Sequence, residues 1–506
     1  MSDPVPRVLE PAPRAITKEP LAIVLVAFAA LFTIMFVVVA FARARHPFEI
    51  EWMEGGVLDH VRRIREGKPI YAAPTLEFVP FIYTPLYYHL AALVSRITGT
   101  SLLALRVTSI LATCGCVAVL YGHVQRETKA WLPAVAAAGL FLAGYRRGAE
   151  FIDLGRVDAL FIFFLLAALM TVRFRRTLPY QVLAGALFTL AFFTKQSALI
   201  VALAMIAHVV LLERLRAWPM VVTTVVGIVG GVLLLDARSD GWFRYYVFEL
   251  PQKHAIEKTM WIDYWSSDLA PWAIAVAAML YVLVGRPSSV DGEARRFYLF
   301  GTFGMLGTAW SSRLHSGGFH NVLLPAIAWL SLMFGVGLAA ARAAVAELPT
   351  ERRTGLARFV LAAAIAQFVG HLYDPRYLIP KTRDVLAGRR LVETLRGTPG
   401  DVFIPAHGYL AVMAGKASFA HQMAVDDVLR VDDENSSALR VAIALAIRSK
   451  RFGAFVQGTN EWYAGEVMQS YEKLGDAVPE PDTFYCLSGI RIRPEKIWVP
   501  RRTLSF

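Results

Sequence analysis

Residues 21–42 form an apolar run long enough to cross a bilayer as one helix, and similar segments recur through most of the chain. Charged residues make up only 18% of the chain, against ~25% in ordinary soluble proteins, and hydrophobic residues make up 56%. These features predict a mainly α, polytopic membrane protein and exclude a disordered chain or a nucleic-acid-binding module. The segments predicted as transmembrane helices are 21–42, 102–122, 131–144, 157–172, 180–194, 197–212, 219–236, 269–285, 297–311, 320–340 and 358–372.

The start of the chain is polar. Residues 1–20 are rich in proline and are predicted to form a disordered cytoplasmic tail. The apolar run that follows is longer than a typical signal-peptide core and has no small-residue cleavage site. It is therefore interpreted as a retained transmembrane helix.

The distribution of Lys and Arg predicts the orientation. With a cytoplasmic N-terminus, the cytoplasmic segments contain 16 Lys and Arg in 69 residues, whereas the outer loops contain 16 in 113 residues. The higher density on the inside agrees with the positive-inside rule. The cytoplasmic segments account for +7 of the formal net charge of +12, so the basic balance indicates membrane topology rather than nucleic-acid binding.

The last quarter of the chain has a different pattern. An odd number of spans places residues 373–506 outside the cell. This stretch mixes short β-like runs, at 401–406, 451–458 and 489–499, with helical stretches such as 384–396 and 436–449. The mixture predicts a small extracytoplasmic α/β domain. Residues 21–372 are then the transmembrane domain.

The first outer loop, residues 43–101, is expected to contain amphipathic helices. Segment 84–98 is interpreted as one of them, because it is short, opens with a proline-containing turn and carries His89 and Arg96. A helix of this kind is expected to lie on the outer leaflet rather than to cross the membrane.

Acidic residues are concentrated in the same loop. The run PFEIEWMEGGVLDH carries Glu49, Glu51, Glu54 and Asp59. Ionised carboxylates just outside a helix mouth suit general-base work, in which an acceptor hydroxyl is deprotonated so that it can attack. The alternative is a solvated acidic loop without a catalytic role.

The second outer loop, YRRGAEFIDLGRVDALFIFF, contains Arg147, Arg156 and Asp158. Arg is a natural partner of a phosphate or a carboxylate. Asp158 can pair with such an Arg, bind a metal or contact a sugar. The alternative is a cluster of ion pairs that only holds the loop together.

Two further loops carry polar residues on the outer side. Lys195 and Gln196 stand between two apolar runs, where the Lys can bind a phosphate as a point charge or snorkel from a tight turn. His320 and Asn321 begin a helix whose N-terminus favours an anion, unless the His is structural. The helix centres are nearly free of charge, which argues against a transporter or a channel.

The order of motifs along the chain forms a recognisable pattern. One helix is followed by a long loop with acids, then by G-x-P-x-Y … P … Y-x-P-x-Y from Gly67 to Tyr87, then by a helix opened by Arg106 and an R-x-D loop. This order resembles the membrane glycosyltransferases of the GT-C fold, of the protein O-mannosyltransferase and aminoarabinose transferase type. The resemblance covers roughly residues 20–340.

The resemblance implies a membrane glycosyltransferase of a bacterial inner membrane. Its donor would be a hexose or pentose on a polyprenyl-phosphate carrier, and its acceptor a cell-envelope glycan, glycolipid or protein at the outer face. The acidic base of the family matches Glu51 and Glu54, and the choice between them stays open because an Asp-Glu pair is absent. Some members bind a divalent metal, for which Asp158 with Glu51 or Glu54 is the pairing to test.

The carrier phosphate needs a cationic partner. The run that begins at Tyr83 reads Tyr-Thr-Pro where the family has Lys-Pro-Pro, so the cation is expected to come from Lys195, Arg156 or His320. The residues expected to bind substrate are Tyr83, Arg147, Arg156, Asp158, Lys195, Gln196, His320 and Asn321.

The resulting hypothesis is a single displacement that inverts the anomeric carbon, with a carboxylate as general base. Two other classes remain open. One is a transporter or flippase for a lipid-linked sugar, and the other is a non-catalytic membrane subunit of a glycan assembly complex.

Overall fold

The structure is a computed structural model that describes residues 19–213 and 217–501. The predicted cytoplasmic tail, except for its last two residues, lies outside this part of the chain. Within it, apolar helices correspond one to one to the predicted transmembrane segments. They are Pro20–Ala44, Leu102–Thr128, Trp131–Ala143, Asp158–Phe174, Leu178–Thr194, Ala198–Glu213, Trp218–Arg238, Ala273–Leu283, Gly292–Arg313, Leu324–Ala346 and Thr350–Val369.

Five helical stretches among the described residues are long and apolar enough to cross a membrane by length and composition. The other apolar helices are shorter, or begin with a charged turn, as Gly292–Arg313 does. The five stretches are Pro20–Ala44, Leu102–Thr128, Trp218–Arg238, Met260–Leu283 and His320–Ala346.

Small residues let the apolar helices approach one another closely. A Cβ atom added to Gly139 would lie 2.4 Å from the Cβ of Ala29. Helix Trp131–Ala143 therefore touches helix Pro20–Ala44 almost backbone to backbone. Such contacts are how helices associate in lipid, where apolar side chains gain little by leaving a solvent that is equally apolar.

The chain between helices Pro20–Ala44 and Leu102–Thr128, called the first loop from here on, contains helices Glu54–Arg65 and Leu86–Thr98. The second of these buries Tyr88 on one side and leaves Ile97 90% exposed on the other. This two-sided character matches the predicted segment 84–98, and its position on the outer leaflet stays a prediction.

Short helical pieces lie between the remaining apolar helices or directly after the last of them, at the same end of the bundle. Two of them, Tyr245–Glu249 and Tyr264–Asp268, have π-helical geometry. The others are Trp242–Arg244, Leu250–Gln252, Met260–Asp263, Ala270–Trp272, His320–Leu323 and Pro375–Leu378.

The C-terminal region, residues 373–501, contains a four-stranded mixed sheet. The strands are β1 Val402–Phe403, β2 Ala454–Gly458, β3 Tyr471–Asp476 and β4 Pro494–Pro500, and the helices are Thr382–Gly397, Gly408–Met413, Gln422–Leu429, Glu434–Arg448 and Ala464–Ser470. The strand order is β1-β2-β4-β3, in which β1 pairs with β2 in parallel and β4 is antiparallel to β2 and β3.

The β-like runs of the sequence correspond to β1, β2 and β4, and the two predicted helical stretches correspond to Thr382–Gly397 and Glu434–Arg448. Strand β3 was not predicted. Only Tyr471 of this strand is buried, so its sequence shows no apolar alternation.

The C-terminal region packs directly onto the first loop. The main-chain N–H groups of Leu487 and Ser488 both donate to the carbonyl oxygen of Ile50, at 2.9 and 3.1 Å. The N–H of Ala420 donates to the carbonyl of Leu76 at 2.9 Å. The acids of the first loop therefore lie between the helical bundle and the C-terminal region.

Candidate functional site

Glu51 and Glu54 stand at the start of helix Glu54–Arg65, and both side chains are almost completely buried. The burial excludes a solvated acidic loop at these two positions. An ionised carboxylate is costly to bury unless it is paired or hydrogen-bonded. The partners of each acid therefore indicate its role.

Every hydrogen-bonding position of the Glu54 carboxylate is occupied. Oε1 accepts from Nε of Arg106 and from the N–H of Gly155, both at 2.9 Å. Oε2 accepts from Nη2 of Arg106 at 2.6 Å and from the N–H of Ile50 at 2.8 Å. Although burial acts to raise it, these contacts, with Arg106 foremost, hold the pKa of Glu54 below its ordinary value. No lone pair is left for an acceptor hydroxyl.

Arg106 links Glu54 to the end of the first apolar helix by hydrogen bonds. Its Nη1 donates to the carbonyls of Arg43 and His46, at 2.8 and 2.6 Å, and its Nη2 also donates to that of Phe48 at 2.7 Å. With the two bonds to Glu54, all of its N–H donors are engaged. The pair is therefore a buried structural support. An Arg inside an apolar helix is a signal that sequence reasoning can weigh, although Arg106 was not among the predicted site residues.

Glu51 is less constrained. Its Oε2 accepts from Nη1 of Arg156 at 2.9 Å and from the N–H of Met53 at 3.2 Å. Its Oε1 accepts no hydrogen bond from the residues that the structure describes. Burial raises the pKa of Glu51 to about 7, while the adjacent Arg156 acts in the opposite direction. A carboxylate with one free oxygen and such a pKa can accept a proton near neutral pH.

Arg156 connects Glu51 to the proline-rich part of the first loop. Its Nη2 donates to the hydroxyl of Tyr83 at 2.9 Å, and its guanidinium lies 5.3 Å from the ring centre of Phe151. Its Nε is buried and has no partner among the described residues. One N–H of this cation is therefore available to a ligand.

Three helix ends meet next to the ion pair of Glu51 and Arg156. Asp158 begins one helix, Lys195 directly follows another, and Asn321 precedes a third. Oδ1 of Asp158 accepts from Nζ of Lys195 at 2.8 Å and from the amide of Asn321 at 3.0 Å. Its Oδ2 is buried and accepts nothing from the described residues.

Gln196 faces the same region. Its amide nitrogen donates to the carbonyl of Ile82 in the first loop at 3.0 Å. The amide oxygen of Gln196 and the hydroxyl of Ser197 are buried without a partner in the described part of the chain. Because buried polar atoms are nearly always satisfied, such a group of unsatisfied atoms is a candidate for binding a polar ligand.

The remaining two predicted binding residues lie elsewhere. Arg147 and His320 are exposed and line a cavity at the edge of the C-terminal region. Six of the eight predicted binding residues therefore gather near the Glu51–Arg156 ion pair, whereas Arg147 and His320 line that cavity, although His320 directly precedes Asn321 in the chain.

A buried cluster that the sequence did not indicate lies behind the site. Arg43 pairs with Asp153 at 3.2 Å, donates to Ser488 at 2.8 Å and contacts the hydroxyl of Tyr145. It joins the first apolar helix, the second loop and the C-terminal region. Ser488 has no detectable signal in the sequence, because its role depends only on tertiary packing.

The C-terminal region also supplies a buried histidine to the first loop. Nδ1 of His407 lies 2.7 Å from Oε2 of Glu49. Burial raises the pKa of Glu49 well above its ordinary value and lowers that of His407 to about 4. Burial therefore acts against charge on both partners of this contact.

Residues 486–489 of the C-terminal region pack against the first loop at Glu51. Gly489 has φ +71°, and a Cβ atom added there would lie 3.0 Å from Cγ and 3.3 Å from Oε1 of Glu51. The left-handed backbone and this close approach both require glycine. The C-terminal region therefore forms one wall of the space next to Glu51.

The acids do not fit a metal site. Glu51, Glu54 and Asp158 each receive N–H groups from their own cation. No group of three His, Cys, Asp or Glu side chains within residues 19–213 and 217–501 is placed to share an ion. The arrangement favours ion pairs over the pairing of Asp158 with Glu51 or Glu54 around a metal.

Residues 80–235 match the family model described as dolichyl-phosphate-mannose-protein mannosyltransferase. No curated protein matches the chain.

Three solved structures are similar over most of the chain. ArnT from Cupriavidus metallidurans, bound to undecaprenyl phosphate, has 12% identity and a TM-score of 0.60, covering 93% of this chain and 98% of its own. The apo state of the same protein gives 13% identity, a TM-score of 0.60 and coverages of 93% and 97%. The Archaeoglobus fulgidus oligosaccharyltransferase, in complex with Zn and sulfate, has 13% identity and a TM-score of 0.51, covering 87% of this chain and 69% of its own. These matches show the GT-C fold of polytopic membrane proteins and confirm the predicted resemblance.

Proposed function

We propose that this chain, a polytopic membrane protein with the GT-C fold, transfers a sugar from a polyprenyl-phosphate carrier to an acceptor hydroxyl. The observation that carries the proposal is Glu51, a buried carboxylate with one free oxygen and a pKa raised to about 7 by burial. It stands beside Arg156, whose buried Nε has no partner in the described residues. A proton acceptor and an anion-binding donor next to each other suit this reaction.

The donor is proposed to bind at Arg156 and Lys195. An Arg N–H and a Lys ammonium suit a phosphate, and undecaprenyl phosphate is bound in the similar ArnT structure. The unsatisfied oxygens of Asp158 and Gln196 are suited to accept from sugar hydroxyls. Whether the sugar is a hexose or a pentose depends on contacts with this part of the site.

The proposed chemical step is a single displacement. The acceptor O–H proton passes to Oε1 of Glu51, and the acceptor oxygen attacks the anomeric carbon. The bond from that carbon to the phosphate oxygen breaks, and the polyprenyl phosphate leaves with the bonding electrons. Arg156 and Lys195 stabilise the charge that develops on it. Because attack and departure occur on opposite faces, the anomeric configuration inverts.

The proposed location is a bacterial inner membrane, with the site at the outer face and the N-terminus in the cytoplasm. The density of Lys and Arg in the connecting segments supports this orientation. Residues 21–372 would then form the catalytic membrane domain, and residues 373–506 an extracytoplasmic domain.

The direct test uses the purified full-length chain in liposomes with polyprenyl-phosphate sugars labelled in the sugar, together with an extract of cell-envelope acceptors. We expect labelled acceptor and free polyprenyl phosphate in equal amounts. Mass spectrometry of glycans and glycolipids from cells with and without the gene identifies the product. Movement of intact donor across the bilayer without release of polyprenyl phosphate would instead support a flippase.

The pH dependence follows from the raised pKa of Glu51. A general base works only when it is deprotonated, so kcat/KM for transfer is expected to fall about tenfold per pH unit below pH 7. The residual activity of Glu51→Gln should lack this acid limb. An acid limb near pH 4 in the native chain would contradict the assignment.

Gly489→Ala is expected to slow transfer about tenfold or more, because its methyl group would displace the Glu51 carboxylate. Gly415→Ala is the matched control: its φ is +80°, and nothing lies within 4 Å of the added Cβ atom. Both variants carry the same backbone strain, which thermal unfolding measures. Equal transfer rates in the two variants would show that contact with Glu51 is unimportant.

A further inference from the structure

A cavity of about 750 Å³ is lined in part by residues 486–489, the stretch that contains Gly489. Arg147 of the second loop and His320 form part of one wall, and the C-terminal region forms the other. Gly489 lines this cavity and also touches Glu51.

The cavity carries an excess of positive charge. Three carboxylates line it, against five cationic side chains, which are Arg146, Arg147, Lys381, Arg383 and Arg491. A concave surface with an excess of one sign of charge attracts ligands of the opposite sign.

Three of these five cations have partners within the protein, and two do not have one among the described residues. Arg146 and Arg491 are paired with carboxylates, and Arg383 donates to a main-chain oxygen at 2.8 Å. Among the described residues, neither Arg147 nor Lys381 has an ion pair or a side-chain hydrogen bond. These two cations, one from each wall, are available to an anion.

Aromatic side chains stand beside the cations. Tyr377, Tyr485 and Phe319 line the cavity. Tyr377 is 74% exposed, whereas the guanidinium groups of Arg491 and Arg493 lie over the ring of Tyr485, at 4.4 and 4.6 Å. Aromatic rings pack against the C–H faces of sugars, and phenolic hydroxyls bond to their polar groups. The combination of free cations and rings suits a sugar that carries a phosphate or a carboxylate.

We propose that this cavity binds the acceptor and that the acceptor is an anionic sugar, with Arg147 and Lys381 as its charge-recognising residues. The inference rests on the proposed function. The cations assigned to the donor phosphate, Arg156 and Lys195, are buried between helix ends, whereas the cavity is open and lies at the edge of the C-terminal region. Gly489, which lines the cavity, also lies against Glu51, so a ligand held there is next to the proposed base.

The test measures binding to the full-length protein in detergent micelles. The probes are glucose 1-phosphate, its neutral counterpart glucose, and undecaprenyl phosphate for the carrier site. The variant is the double substitution Arg147→Gln and Lys381→Gln. The control is Lys258→Gln with Arg389→Gln, which removes two exposed cations that line no part of the cavity and have no ion pair in the described chain.

We expect the native chain to bind glucose 1-phosphate more tightly than glucose, with an affinity that falls as salt is added. The double variant should lose about tenfold or more of this affinity and keep its affinity for undecaprenyl phosphate. The control should match the native chain with both anionic probes.

Three results would overturn the inference. The first is that the native chain binds glucose 1-phosphate no more tightly than glucose, and the second is that the double variant keeps the native affinity for glucose 1-phosphate. The third is that the double variant loses as much affinity for undecaprenyl phosphate as for glucose 1-phosphate. The last result would assign the cavity to the carrier. Since the measurement involves no sugar transfer, an inactive protein that still shows the expected binding contradicts only the proposed function.

Discussion

Glu51→Gln is expected to lower the rate of sugar transfer about 10²–10⁴-fold, the usual contribution of a positioned general base. The amide cannot accept the proton of the acceptor hydroxyl, but it has nearly the same shape and can still accept from Arg156. The variant should therefore fold normally and bind the carrier. The rate is measured with labelled donor in liposomes, and folding by thermal unfolding in detergent.

Glu66→Gln is the matched control for this substitution. Glu66 directly follows helix Glu54–Arg65, and its only ion pair is an exposed one with Lys68 among the residues that the structure describes. We expect transfer at the native rate. Native activity in Glu51→Gln would exclude Glu51 as the base, whatever the outcome for the control.

Glu54→Gln is expected to destabilise the fold rather than to remove a single catalytic step. Removing one partner of a buried ion pair leaves the other charge uncompensated, which costs about 3–5 kcal/mol in free energy of unfolding. Arg106→Met should have a similar effect, because it also releases the carbonyls of Arg43, His46 and Phe48. Thermal unfolding and the yield of monodisperse protein measure both.

The double variant Glu54→Gln with Arg106→Met should lose less stability than the sum of the two single changes, because the two groups interact directly. Glu66→Gln again serves as control and should change the free energy of unfolding by less than about 1 kcal/mol. If Glu54→Gln unfolds like the native chain and only its transfer rate falls, the base role belongs to Glu54 instead.

The helical framework was predictable from the sequence. Every predicted span, from 21–42 to 358–372, corresponds to an apolar helix, because the cost of exposing a backbone to lipid makes long apolar runs form helices. The boundaries moved by several residues at charged ends. Helix Leu102–Thr128 continues six residues past the predicted end at residue 122, since backbone hydrogen bonds do not stop where the apolar run does.

The candidate site was predictable as a set of residues but not as an arrangement. Six of the predicted binding residues gather near the Glu51–Arg156 ion pair, because their loops all lie at the same end of the bundle. The sequence left Glu51 and Glu54 equivalent. Their difference comes from Arg106 and Arg156, which stand 52 and 105 residues away along the chain from the acids they contact.

Composition and apolar periodicity determined that this chain is a helical membrane protein with polar loops gathered on one side, since lipid imposes those patterns residue by residue. Tertiary structure alone decided which acid is saturated and which keeps a free oxygen. It also decided that Gly489 and His407 of the C-terminal region complete the surroundings of the first loop. The physical reason is that pKa and hydrogen-bond satisfaction depend on neighbours in space, and no local pattern in the sequence records them.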